Sequence, residues 1–394
     1  MAEMEQLVQS SLNMRSLVSQ MWHVTEDLDT LDVKLLCGLN QDGARNVSQV
    51  ASKLGIPSST AYLRLKRMNR LGPIMFAYPE LSKLGLKRAV VMIRPQLSEH
   101  DTTEMMKSLG YWTAWGIADG AFTSHWVFAI PATYSSKIPS LLEEAHHQGA
   151  ISEFQFYETS DYRPNFPNFK LFDPEQKTWT FDWPKWLDDV LEPAEATPPQ
   201  TRMPVADPPS YERLVDRTDI LIIKELQKDA CKSFTDIAKV AGVTIQVAAY
   251  RYHRLVKLGC LTGHSSELQI YPPQISSLRE FKVRFTSASA LNNFVSAAPS
   301  MFAVAGYAKK LKEDTLLLRV YVPVTEEGNL YIFLKELNER GIIKDYPSVR
   351  LHPFRREFQT ISYELFDEKQ GWMKPQPCMI PKNNSPIHPR YSAW

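Results

Sequence analysis

Residues 28–72 recur at 215–259 without a gap, and this self-match restricts the possible folds more than any other feature. At an offset of 187, Asp29 meets Asp216, Asp32 meets Asp219, Leu39 meets Leu226 and Asp42 meets Asp229. Ala51 meets Ala238, Gly55 meets Gly242, Ala61 meets Ala248, Arg64 meets Arg251 and Arg67 meets Arg254. The pair Leu71-Gly72 falls on Leu258-Gly259. The match continues at a slightly different offset. "LKRAVVMIRP" (86–95) lies over "LREFKVRFTS" (278–287), Pro131 over Pro323, and "FDPEQKTW" (172–179) has an echo in "FDEKQGW" (366–372). The chain therefore reads as two copies of one unit of about 150 residues plus an extended arm. Between them, 193–209 holds Pro193, Pro198, Pro199, Pro204, Pro208 and Pro209, the composition of a semi-rigid linker.

Within each copy the first 45 or so residues read as three helices. In the first copy, Leu31, Leu35, Leu36 and Leu39 share one helix face. "NVSQVASKLG" is a short helix with Ser48 near its start, and it ends at Gly55, a residue suited to a left-handed cap. "PSSTAYLRLKRMNRLG" opens with Ser58 or Ser59 as N-cap and buries Ala61, Leu65, Met68 and Leu71. A helix, a glycine turn and a helix with an acid-free basic face make a helix-turn-helix layout. The pattern then changes. Strand-like "RAVVMIRP", helical "DTTEMMKSLGYW", two strands around a turn from Gly116 to Gly120, helical "IPSLLEEAHHQG" and strand-like "ISEFQFYET" give the order βαββαβ. The second copy gives the same order over 280–286, 289–298, 301–309, 315–323, 328–340 and 342–351.

Charge narrows the function classes. The formal net charge is +1 over 394 residues, so any electrostatic site is local. Hydrophobic residues make up 44% and charged residues 23%, as in soluble globular proteins. Cys37, Cys231, Cys260 and Cys378 are scattered with no CxxC pair, which argues against a zinc site and a disulfide framework. The adjacent His146 and His147 do not face one metal on a helix. We expect no cofactor and no metal. The opening "MAEMEQLVQSS" lacks a basic n-region and no apolar run approaches 18 residues, so a cytoplasmic location and no membrane partner are expected.

These residues resemble the winged helix-turn-helix of the Lrp/AsnC transcriptional regulators. The carrying positions are Leu28, Asp29, Asp32, Leu39, Asp42, Gly43, Ala51, Leu54, Gly55, Ile56, Ser59, Thr60, Arg64, Lys66 and Arg67. The resemblance implies an α+β chain of two winged helix-turn-helix domains, each followed by a ferredoxin-like βαββαβ domain. It implies double-stranded DNA as partner and no catalysis. It also implies assembly through the ferredoxin-like domains, as a homodimer or as a pseudo-dimer within one chain. The implied domains are an N-terminal helix (1–27), winged helix-turn-helix 1 (28–80), ferredoxin-like domain 1 (81–165) and a Trp/Pro-rich arm and linker (166–213). Winged helix-turn-helix 2 (214–270), ferredoxin-like domain 2 (271–360) and a C-terminal arm (361–394) follow. The family often senses amino acids. Here "GIADGAF" matches its effector loop loosely and "GYAKKLKEDT" does not, so a small-molecule effector stays open.

In that reading the third helix of each copy enters a major groove. Ser59, Tyr62 and Leu63 stand near the start of the first one, where base edges are read, with Thr60 on the same DNA-facing side, and Arg64, Lys66, Arg67 and Arg70 follow as the basic face. In the second copy Thr244, Gln246 and Tyr250 stand at comparable places, with Arg251, Arg254 and Lys257 for phosphates. Because the two faces differ, the expected DNA site is asymmetric or imperfectly palindromic. Residues 4–21 space Leu7, Met14, Leu17 and Met21 as a dimerising helix, or one packed on the first domain, would, and "WTFDWPKW" (179–186) reads as an arm on its own domain or on a neighbour. Two alternatives remain. One is an enzyme resembling the siroheme decarboxylases, whose architecture is similar; here the relevant strand pair offers His125 and no nearby arginine. The other is an architectural DNA-binding protein.

Overall fold

The computed structural model describes residues 25–69, 75–165, 168–192, 206–266, 271–301 and 303–377. The segment 4–21, Arg70, Cys378 and most of the proline-rich linker lie outside the described residues. In chain order, the first half contains α1 (Thr30–Asp42), α2 (Val47–Lys53), α3 (Ser58–Met68), β1 (Met75–Pro79), β2 (Leu86–Pro95), α4 (Glu99–Ser108), β3 (Trp112–Asp119), β4 (Ser124–Pro131), α5 (Lys137–His147) and β5 (Ile151–Thr159). Short strands β6 (Arg163–Pro164), β7 (Phe172–Asp173) and β8 (Thr178–Trp179) lead to α6 (Trp183–Leu191). The second half repeats the series: α7 (Arg217–Lys228), α8 (Phe234–Ala241), α9 (Ile245–Lys257), β9 (Leu261–Ser266), β10 (Ser276–Phe285), α10 (Ala288–Ala297), β11 (Val304–Lys309), β12 (Thr315–Pro323), α11 (Glu327–Glu339), β13 (Ile343–Asp345), β14 (Ser348–Phe358), β15 (Phe366–Asp367) and β16 (Gly371–Trp372).

Each three-helix unit is tied together by the residues that the repeat preserves. Asp29 caps α1 by accepting from the amides of Leu31 and Asp32, while the Asp32 side chain accepts from the Asp29 amide, a reciprocal capping box. Asp216 and Asp219 do the same for α7. Those carboxylates also hold the third helix. Arg64 Nη1 donates to Asp29 at 2.6 Å and to Asp32 at 3.0 Å, and Arg67 donates to Asp32. Arg251 donates to Asp216 at 2.7 Å and to Asp219 at 2.8 Å, and Arg254 donates to Asp219 at 2.8 Å. Asp32 and Asp219 are both 0% exposed. Behind this clasp Ala61, Leu65 and Met68 are buried, as their spacing predicts. Gly55 and Gly242 make the turns with φ of +69° and +65°, the left-handed region that glycine enters without strain. Neither serine caps α3. Pro57, its ring fixing φ at −59°, takes the N-cap position, and Ser58 and Ser59 are exposed in the first turn.

The strands of both halves form one sheet in the order β5-β2-β4-β3-β14-β10-β12-β11-β6, with β13 beside β10. Each half contributes four strands in the same relative order. The fourth strand of each then extends to the other half: β14 pairs with β3, and β6, which continues from β5, pairs with β11. On β2, Ala89, Val91 and Ile93 turn toward the α4 and α5 core that includes Met105, Met106 and Leu142. The alternate residues Val90 and Met92, with Val127 and Tyr157, join the core of the second half. Two sequence expectations shift here. Leu86 faces Pro131 but Ser276 faces Pro323, so Leu86 corresponds to Ser276 and not to Leu278. A slip of two preserves the inward and outward alternation, so residue polarity does not reveal it. Gly116 lies inside β3 rather than in the turn, because a Cβ there would sit 2.7 Å from Cγ of Arg356 where β14 crosses.

The arms brace helices against sheets. Lys177 Nζ donates to the Leu28 carbonyl at 2.6 Å, and beyond it Phe181 stacks on Tyr271 while Trp183 donates to Glu326 at 2.7 Å. The segment 179–186 thus packs on the second half of its own chain. The C-terminal arm mirrors this: Arg217 donates to the Tyr363 hydroxyl at 3.0 Å, and Trp372 Nε1 donates to the Leu84 carbonyl at 2.6 Å.

Two outcomes follow from the clasp. Arg251→Ala with Arg254→Ala leaves Asp219 buried without its cations and should destabilise α7–α9 by roughly 3 kcal/mol, read by amide exchange in those helices. Burial opposes ionisation of Asp29, but the Arg64 hydrogen bond and charge, with backbone amides, bring its pKa down to about 2. A depressed carboxylate stabilises the fold above its ordinary pKa of about 4. Protection of α1 and α3 should therefore hold at neutral pH and decay as pH falls from about 4 toward about 2.

Candidate nucleic-acid interface

The third helices present their outer faces to solvent. On α3, Ser59, Tyr62, Leu63 and Lys66 are exposed, Tyr62 at 53% and Leu63 at 68%, and Thr60 is half-buried. Arg64 and Arg67 point back along the helix to Asp29 and Asp32 while keeping part of their surface in solvent. On α9, Gln246, Tyr250 and Lys257 are exposed, Tyr250 at 69%. Thr244 is exposed and also caps the helix, its side chain accepting from the Val247 amide at 3.3 Å. Arg251 and Arg254 are clasped as in the first copy. Ile245, Val247 and Val256 add exposed apolar surface to α9 that α3 matches only in Tyr62 and Leu63. The faces are alike in framework and different in chemistry.

The two three-helix units touch along a local twofold axis. In the β1–β9 ladder Ala77 stands opposite His264, and these are equivalent residues at the offset of 187. Cys231 Sγ lies 3.3 Å from the carbonyl of Ala44, again its own equivalent. Equivalent residues meet only where a twofold passes between them. Around this axis the Ala230 amide donates to the Met75 carbonyl at 2.9 Å, and His264 Nε2 lies 3.1 Å from the Leu39 carbonyl. Arg45 reaches across most deeply. Its Nη1 donates to the carbonyls of Lys232 at 2.6 Å and Ala230 at 3.3 Å, and its guanidinium lies 4.1 Å from the Phe234 ring centre and 5.1 Å from that of Tyr252. Sequence reasoning passed over Arg45. In "DGARN" it is one cation in a polar turn, and the two rings that it meets lie almost two hundred residues away.

A second polar cluster lies between the sheets. His125 Nε2 is 2.8 Å from Glu280 Oε1, and Arg319 donates to Glu280 at 2.7 Å, with His125 and Glu280 both buried. Arg88, also buried, donates to the Thr159 hydroxyl at 2.9 Å, and Arg88 and Arg319 both approach the Tyr162 ring. Burial alone would favour a neutral Glu280. The charges of His125, Arg319 and Arg88 instead hold it far below the usual carboxylate range. The expectation that His125 has no arginine nearby fails for a topological reason: the arginines come from β2 and β12, not from the strand pair that carries the histidine. Among the described residues no group of three or more His, Cys, Asp or Glu could hold a metal ion. No helix among them is long and apolar enough to cross a membrane.

Comparison with known proteins places these geometries. Residues 215–256, which span α7–α9, match the AsnC-type helix-turn-helix domain. An uncharacterised HTH-type transcriptional regulator of Pyrococcus furiosus is 45% identical over 47 residues, a match that spans 12% of this chain and 32% of that regulator. Among solved structures, the siroheme decarboxylase NirDL superposes with a TM-score of 0.51 at 10% identity, over 86% of this chain and 95% of its own. The same enzyme with an iron-uroporphyrin III analogue gives 0.50 at 9% identity, over 87% and 94%. At such identities the likeness is one of mixed α/β fold. Residues 215–256 thus carry a helix-turn-helix domain of the AsnC type.

Proposed function

We propose that this chain is a sequence-specific, double-stranded-DNA-binding transcription regulator in the cytoplasm, in which one chain supplies both reading heads. The observation that carries the reading is the pair of helix-turn-helix units joined about a local twofold, each with its third helix exposed. On this reading the winged helix-turn-helix domains are 28–80 and 214–270, the ferredoxin-like domains are 81–165 and 271–360, and the halves form a pseudo-dimer within the chain. Ser59, Thr60, Tyr62 and Leu63 read bases on one side; Thr244, Gln246 and Tyr250 read them on the other. Lys66 and Lys257 meet phosphates with their whole ammonium groups. Arg64, Arg67, Arg251 and Arg254 do so with the part of each guanidinium that the clasp leaves in solvent, and Arg70 extends the first basic face. Different faces on a common frame favour an imperfect palindrome.

The likeness in fold to a siroheme decarboxylase, together with the His125, Arg88 and Arg319 cluster, favours a second reading as an enzyme of that kind. Against it, His125 is 3% exposed and already paired with Glu280. Adding the protein to siroheme is expected to leave the absorbance spectrum unchanged. A shifted spectrum followed by loss of carboxyl groups would establish the enzyme instead.

The DNA reading is tested on duplexes selected from a random pool at two salt concentrations. A strong shared sequence is expected; enrichment without one would indicate an architectural protein. On the selected duplex, Lys66→Ala and Lys257→Ala should each weaken binding and lower the salt slope by about 1, with folding unchanged. Arg64→Ala with Arg67→Ala should lower both binding and the stability of α1–α3. Affinity and slope unchanged in all three variants would overturn the assignment.

A further inference from the structure

We infer that Arg45 is a positioning residue that locks the two reading heads at one separation, so that the chain accepts only one half-site spacing. This rests on the DNA-binding reading above. The local twofold is asymmetric in its side chains. The repeat equivalent of Arg45 is Lys232, whose ammonium turns to Glu225 of its own unit. Only one of the two equivalent cations crosses the axis. It carries the chemistry needed for a rigid joint: a planar guanidinium that donates to two carbonyls of the α7–α8 turn while lying over two aromatic faces. The rings are placed to matter. Phe234 opens α8, and Tyr252 is on α9, the helix offered to DNA; the two rings are themselves 5.5 Å apart. Arg45 sits in the turn between α1 and α2, two residues before Val47. The contact therefore joins the frame of one reading head to the frame and reading helix of the other.

The remaining contacts at the axis are of a different kind. The β1–β9 ladder and the Ala230 amide on Met75 are backbone pairings, and the His264 side chain reaches a single carbonyl, that of Leu39. A thiol near a carbonyl, Cys231 at Ala44, adds little rigidity. Arg45 differs in joining two carbonyls and two aromatic faces of the other unit at once. Each inserted base pair rotates a half-site by about 34° and moves it by about 3.4 Å. A locked pair of heads cannot follow that movement, and a hinged pair follows it in part.

The test uses the full chain and the selected duplex, with variants carrying one or two base pairs inserted between or deleted from the half-sites. The wild-type protein should lose about tenfold or more in affinity for a two-base-pair change, which is a coupling of about 1.4 kcal/mol. Arg45→Ala should bind the parent duplex within about threefold of wild type yet lose only about threefold across the altered spacings. Arg45→Lys keeps the charge but lacks the planar guanidinium that lies over both rings while Nη1 holds the carbonyls, so it should resemble the alanine variant. Amide exchange should rise in residues 44–47 and 230–234 and stay unchanged in β2 and β10. A merely structural role would weaken binding equally at every spacing, and that flat profile, or spacing tolerance equal to wild type, overturns the inference. Failure of the wild-type chain to select any duplex would overturn the DNA reading itself, and with it this dependent claim. Exchange unchanged at both turns would sink the clamp alone.

Discussion

The fourth strand of each half, directly or through its continuation, also pairs with the strands of the other half, and that shared pairing underlies everything else in the molecule. A four-stranded βαββαβ sheet alone leaves unpaired edges, which other chains can recruit. Here β14 covers the β3 edge and β6 covers the β11 edge, so two sheets become one hydrogen-bonded body. The pairing also carries buried charge across the join. His125 of the first half and Arg319 of the second converge on the buried Glu280, and removing Arg319 would leave that carboxylate with less compensating charge. The arms leave this body to tie both helical units to it, through Lys177 to Leu28 and Tyr363 to Arg217.

The arginines shared by the two repeats have a structural role that charge alone conceals. A basic, acid-free helix face suggests an anion outside the protein. In both copies the first partners of that face are the aspartates that begin the first helix. The same four positions, two aspartates and two arginines, therefore cap one helix, fasten another and leave part of each guanidinium in solvent. This explains why aspartates and arginines are retained together at an offset of 187 while Tyr62, Leu63 and Ser59 change to Ala249, Tyr250 and Gln246. The clasp is common to both copies, and the outward residues that differ give each head its own surface.

Much of the fold was legible because periodicity encodes it. The buried stripe Ala61, Leu65 and Met68 and the left-handed turns at Gly55 and Gly242 lie where spacing puts them. The order of strands and helices in both halves was equally plain. Register was not. A two-residue slip between β2 and β10 leaves every residue on its original face, so the pattern that identifies a strand cannot fix its partner. Contacts made across the chain were also hidden. Arg45 meets Phe234 and Tyr252, and Arg319 meets His125 at Glu280, through topology rather than proximity in sequence. The exposed faces of α3 and α9 were identifiable as candidates, whereas the Asp–Arg clasp behind them required the two helices to be seen together.

The central claim is that a single chain, closed on itself by shared strand pairing, holds both DNA-reading heads. Native mass measurement of the complex with a duplex carrying one complete two-half site tests it most directly. The account predicts one chain per duplex at the lowest protein concentration that gives full binding, with both half-sites protected together. A minimal complex of two chains on that duplex, or protection of the half-sites in separate steps at different protein concentrations, would contradict it.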